Sequence, residues 1–125
     1  MKTRLRTSKQ AEEILRRLKN KFGLTPNILC RYAIGLSLKL NEELDFDYDS
    51  NGIEFQRATL TGDEDLLIRE LIKNYHNRFI TDDEYMTKYL KAHIERGLIQ
   101  LEANVKLCGS FDNFIDLLIR NGGTI

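Results

Sequence analysis

The chain lacks tryptophan and holds one proline and two cysteines in 125 residues. Cys30 and Cys108 stand in no CxxC or Cys/His spacing, which argues against a disulfide scaffold and a zinc site. Both read as small buried residues. No apolar run approaches the ~18 residues that a membrane span needs, and the opening MKTRLRTSKQ has no apolar centre of the signal-peptide kind. The glycines form neither GxGxxG nor a Walker loop, so no phosphate cradle is expected. Histidine is scarce as well. His76 and His93 sit on different predicted helices, without HExxH or a carboxylate at ligand spacing, and His93 lies beside an apolar stripe as a hydrogen-bonded core histidine would. These absences predict a soluble cytoplasmic protein of one domain, residues 1–125, with no catalytic residue, cofactor or metal.

What is present is charge, unevenly spread. Nineteen Lys+Arg balance nineteen Asp+Glu overall. Residues 1–40 nevertheless hold ten basic side chains against Glu12 and Glu13, a net of +8. Residues 41–65 hold nine acids against Arg57 alone, a net of −8. The first third is thus a candidate polyanion-binding surface. Packing of the basic segment on the acidic one is the alternative.

Hydrophobic periodicity predicts a mainly α fold, a compact bundle of about five helices. A short strand or arm over Thr3–Thr7 precedes a helix capped by Thr7 or Ser8, with Ala11, Ile14, Leu15, Leu18 and Phe22 on one stripe and Gly23 ending it. Thr25-Pro26 restarts helix to about residue 38, with Ile28, Leu29, Tyr32, Ala33 and Leu36 inward. Near 44–56, alternation around Asn51-Gly52 predicts a small hairpin or else an acidic loop. A further helix buries Leu67, Leu71, Ile72, Tyr75 and Phe79. The capping box Thr81–Glu84 opens the longest helix, over 82–106, whose apolar stripe drifts because its mean spacing is close to four. That drift implies either several wrapping neighbours or a break near Gly97, which by close approach would serve subunit packing or ordinary core burial. Ser110 caps a last short helix with Phe111, Phe114, Ile115 and Leu118, ended by Gly122-Gly123.

In the basic third, Glu12–Arg16 and Glu13–Arg17 are i,i+4 pairs that occupy two cations. Lys9, Lys19, Lys21, Lys2, Arg4 and Arg6 then remain for phosphates. Strand–helix–turn–helix order also fits a ribbon-helix-helix repressor, and a basic face could equally dock an acidic partner in a structural adaptor.

Four strings resemble the DndE family of the bacterial DNA phosphorothioation system: SKQAEEILRRLK (Ser8–Lys19), GLTPNILCRYAIGLSL (Gly23–Leu38), EFQRATLTGD (Glu54–Asp63) and KAHIERGLIQL (Lys91–Leu101). The resemblance spans roughly residues 5–105. It implies a helical, non-enzymatic accessory subunit that assembles as a homotetramer and binds nicked double-stranded DNA through a lysine-rich surface. Sulfur chemistry would belong to partners: a cysteine desulfurase, an iron–sulfur protein and an ATPase. Carried onto this chain, the resemblance points to Lys9, Lys19 and Lys21 for DNA contact, followed by Arg16, Arg17 and Arg31. Lys2, Arg4 and Arg6 rest on charge alone. The arginines would favour bidentate phosphate contacts.

Overall fold

The computed structural model describes residues 2–109 and 111–120. In chain order the elements are β1 (Arg4–Arg6), α1 (Lys9–Phe22), α2 (Pro26–Ser37), β2 (Glu54–Gln56), α3 (Arg57–Leu60), a 3₁₀ turn (Gly62–Glu64) and α4 (Asp65–His76). There follow the turn α5 (Asp82–Glu84), a π-helical stretch (Tyr85–Tyr89), α6 (Leu90–Cys108) and α7 (Phe111–Arg120). The fold is mainly helical, as the periodicity predicts. The expected Ser110 cap and the Gly122-Gly123 stop lie outside the described residues.

Helix α6 is the axis of the core. It packs tightly against α2, where a Cβ on Gly97 would collide with the carbonyl and Cα of Ala33. Gly97 therefore neither breaks the helix nor stands outward; it admits α2. The face that α2 turns inward is Leu29, Cys30, Ala33, Ile34 and Ser37. Ile28 and Tyr32, expected inward, are exposed, because the helix is rotated to present its small residues to Gly97. The drifting stripe has its own explanation. Tyr85, Met86, Tyr89, Leu90, Ile94, Leu98, Leu101 and Val105 are all buried, and the wide π turn at 85–89 rephases the first four onto the same core.

Two further corrections concern the middle of the chain. No hairpin forms at Asn51-Gly52. Instead β2 pairs antiparallel with β1, Arg4 opposite Gln56, Leu5 opposite Phe55 and Arg6 opposite Glu54, so that Leu5 and Phe55 both enter the core. The loop before β2 is stitched to the chain just ahead of α1: Gly52 N–H donates to the Thr7 carbonyl, Ile53 N–H to Thr7 Oγ1, and Asp49 Oδ1 accepts from Lys9 N–H. On α4, Ile68 and Ile72 are buried while Leu67, Leu71 and, beyond the helix, Phe79 are exposed. Only one side of this helix meets the core: Ile72 is buried as expected, and Ile68 takes the place expected of Leu67 and Leu71.

Helix α1 is held at both ends. Ser8 Oγ accepts from Ala11 N–H as the N-cap, and Gly23, left-handed at φ 71°, closes the other end through its N–H to the Lys19 carbonyl. The cap is itself anchored by Glu95 of α6, a buried carboxylate that accepts from both the N–H and the hydroxyl of Ser8. Burial pushes the Glu95 carboxyl up, and the two Ser8 hydrogen bonds oppose that rise. The stripe Ala11, Ile14, Leu15 and Leu18 is buried, which fixes the opposite, charged face of α1 toward solvent.

Candidate nucleic-acid interface

Helix α1 carries five of the candidate cations, Lys9, Arg16 and Arg17 opposite the buried stripe and Lys19 and Lys21 on its two flanks, and they differ in how far they are occupied. Lys9 Nζ and Arg16 Nη2 share one carboxylate, Glu12, at 2.9 and 2.8 Å. Hydrogen bonding from Lys9, more than the charge of either cation, holds the Glu12 carboxyl below its ordinary value. Arg17 is taken up differently from the expected i,i+4 pairing with Glu13. Its Nε and Nη2 reach both oxygens of Glu102 on α6, at 2.8 and 2.9 Å, a bidentate fork that ties α1 to α6. Lys19 and Lys21, in the last turn of α1, are exposed and have no carboxylate partner among the described residues. Lys21 Nζ lies 5.5 Å from the Phe22 ring centroid. Arg16 and Lys19 border a groove of about 380 Å³ floored by Leu15, Pro26 and Ile53.

The other candidates fall elsewhere. Arg4 and Arg6 flank Glu54 across the two-stranded ribbon at 3.7 and 3.6 Å, and Arg6 also donates to the Gly52 carbonyl. Lys2 borders a cavity with Arg69, Asp82 and Asp83, at the end of β1 away from α1. Arg31 is half-buried and braces α2 against α3, donating through Nε to the Leu60 carbonyl at 3.0 Å and through Nη2 to that of Thr59 at 3.3 Å. The structure thus brings Lys9, Arg16, Lys19 and Lys21 onto one helix and separates Lys2 and Arg31 from them.

The acidic segment does not cover this face. Asp49 takes the backbone N–H of Lys9 and leaves its ammonium to Glu12. The loop instead lies toward α6, where Lys91 Nζ donates to the Asp49 carbonyl and Ser50 Oγ, and Arg96 to the Glu42 carbonyl.

Of two further polar clusters the sequence signalled only His93, read as a hydrogen-bonded core histidine, and it is buried and hydrogen-bonded. Arg57 forks between Asp65 and Asp82, with Nη2 2.7 Å from each, and Asp65 also accepts from Thr61 and Tyr85. His76 and His93 meet with Nε2 atoms 3.0 Å apart. Neither pattern follows helical spacing, since the partners come from different elements; the Arg57 lone among acids in 41–65 is the nearest hint. Among the described residues no group of three or more His, Cys, Asp or Glu could hold a metal ion, and no helix is long and apolar enough to cross a membrane. Burial pushes the Cys30 thiol far up, away from thiolate chemistry.

A two-stranded ribbon capping an α2–α6 core, with a cationic helix packed on it, defines a small, mainly helical protein. Residues 4–108 match the family described as DNA sulphur modification protein DndE, and the chain belongs to that family. It is similar in fold to DndE from Escherichia coli B7A, involved in DNA phosphorothioation modification, with 24% identity, 78% of this chain and 96% of that one covered, and a TM-score of 0.66. A doubly substituted DndE mutant involved in DNA phosphorothioation gives 24% identity, 81% and 98% coverage, and a TM-score of 0.66. No curated protein sequence matches.

Proposed function

We propose that the chain is a non-enzymatic, cytoplasmic DNA-binding subunit of DNA phosphorothioation. It grips nicked duplex through the outward face of α1 and bridges it to partner proteins, among them the iron–sulfur protein and the ATPase. Self-association, as a tetramer, would repeat one modest patch and add its weak phosphate contacts through multivalency. The observation that carries the reading is that Lys19 and Lys21, in the last turn of α1, are exposed and have no carboxylate partner among the described residues, on the same helix as Lys9 and Arg16, whose two charges meet a single Glu12.

Engagement of about four phosphates gives a log–log salt slope near −3.6 on duplex DNA. Gel shifts of intact, nicked and gapped duplex across a salt series test this, with the tightest binding expected on the nicked form. Combined substitution of Lys9, Lys19 and Lys21 by Glu is expected to abolish the shift with little change in melting temperature, because all three side chains are exposed. Retained binding in that variant defeats the assignment. A ribbon-helix-helix repressor is disfavoured: β1 is paired within its own chain, and Arg4 and Arg6 lean on Glu54. Partner complexes that form without DNA and ignore salt would point to an adaptor instead.

A further inference from the structure

The two imidazoles that meet between α4 and α6 form part of a hydrogen-bond chain whose direction can be followed. His93 is fully buried, and its Nδ1 lies 2.8 Å from Ser37 Oγ. Ser37 Oγ also accepts from Arg96 Nε at 2.9 Å. Arginine only donates, so the Ser37 hydroxyl accepts there and gives its own proton to His93 Nδ1. His93 then carries its proton on Nε2 and donates it to His76 Nε2, 3.0 Å away, and His76 keeps its proton on Nδ1. The whole chain is satisfied when both rings are neutral.

The surroundings oppose a charge. Facing the pair are Ser37 from α2, Tyr75 from α4, Arg78 just beyond it, Tyr89 from the π turn and Arg96 from α6. The nearby carbonyls of Leu40 and Glu42 are engaged by Tyr75 and Arg96. The charged side chains that act on the rings, Arg96 on both and Arg78 on His76, are cations. Burial first, and these charges second, hold His76 below the ordinary imidazole value; burial, then His76 and Arg96, push His93 down to about 3.

We propose that the His76–His93 contact is a proton-sensitive clasp, which fastens the C-terminal turn of α4 and the following Asn77–Phe79 segment to α6 while both rings are neutral and releases them when the pair takes up a proton. A proton on His76 Nε2 would face the N–H of His93. The chain can reverse to receive it, but the Ser37 hydroxyl then loses its acceptor and a third cation stands beside Arg96 and Arg78. Turning His76, which is half-buried, out to water avoids both costs. Since both imidazoles lie below their unfolded value, the clasp is complete above about pH 6.5 and weakens as pH falls from there toward the folded values. The buried Ile68 and Ile72 keep the first turns of α4 in place.

Amide hydrogen exchange on the whole protein, followed by NMR from about pH 7.5 to about pH 5, reads this directly. After correction for intrinsic exchange, protection at Tyr75, His76 and Asn77 is expected to fall by up to about tenfold per pH unit as His76 titrates, while Ile94 and Leu98 keep theirs. In His76→Gln, which keeps donor and acceptor atoms but does not titrate, protection at Tyr75 and Asn77 should no longer follow pH. Unchanged protection in the parent protein, the same pH dependence in His76→Gln, or parallel loss at Ile94 and Leu98 would each overturn the clasp. None of these outcomes depends on whether the protein binds DNA.

Discussion

Gly97→Ala is expected to destabilise the protein by about 3 kcal/mol, lowering the melting temperature by roughly 10 °C in a calorimetric scan. The added methyl group has no rotamer with which to escape, because what it meets is the Ala33 backbone and not a flexible side chain. Relief requires α2 to lift away from α6, and Leu29, Cys30, Ile34 and Ser37 move with it. Gly35 supplies the internal control. It lies on α2 with nothing near its missing Cβ, so Gly35→Ala is expected to raise stability by about 0.5–1 kcal/mol through helix propensity alone. A melting temperature unchanged in Gly97→Ala would show that the α2–α6 seam is looser than described.

The second large effect is expected at Arg57. Its side chain is 13% exposed, against 22% for Asp65 and 29% for Asp82, so water does little to screen the three charges. Arg57→Ala leaves Asp65 with hydroxyl donors only and Asp82 with Arg69 only, and it removes the donor that holds the Lys2 carbonyl. A loss of about 3 kcal/mol by urea unfolding is the expected size for a partly buried pair broken from one side. Arg57→Lys should recover only part of it, because an ammonium cannot fork to two carboxylates. Burial pushes the Asp65 carboxyl up, but hydrogen bonds from Arg57, Thr61 and Tyr85 outweigh it and hold the group below its ordinary value. Asp82 is lowered chiefly by Arg57. Both carboxylates therefore contribute fully above about pH 4, and that stability is lost as pH falls through their depressed folded values. The difference between parent and Arg57→Ala should shrink on acidification; a constant difference would refute the ionic origin.

What was legible in the sequence is what local physics decides. The Ser8 cap, the Gly23 stop, Pro26 at the first position of α2 and the Thr81–Glu84 capping box all sit where side-chain chemistry and backbone preference put them. The stripe of α6 was legible residue by residue, though not the π turn that makes it consistent. The errors arise where a distant partner decides. Asn51-Gly52 reads as a hairpin turn by local rules, but β1 offered Phe55 a partner with its own buried Leu5. On α2 the choice between two apolar faces was settled by a glycine sixty-odd residues away in the chain. At the candidate interface, charge counting found the cations of α1, and only coordinates could separate Lys19 and Lys21 from Arg17, which Glu102 occupies, and from Arg31, which braces α3.

The Ser8–Glu95 anchor has a temporal consequence. Its two members are separated by 87 positions, so the ribosome has released most of the chain before Glu95 can reach Ser8. Arg17 waits similarly for Glu102, 85 positions downstream. Helix α1 is thus locked in orientation only once α6 has emerged, and a nascent or truncated chain that stops before α6 leaves its lysines on an unmoored segment.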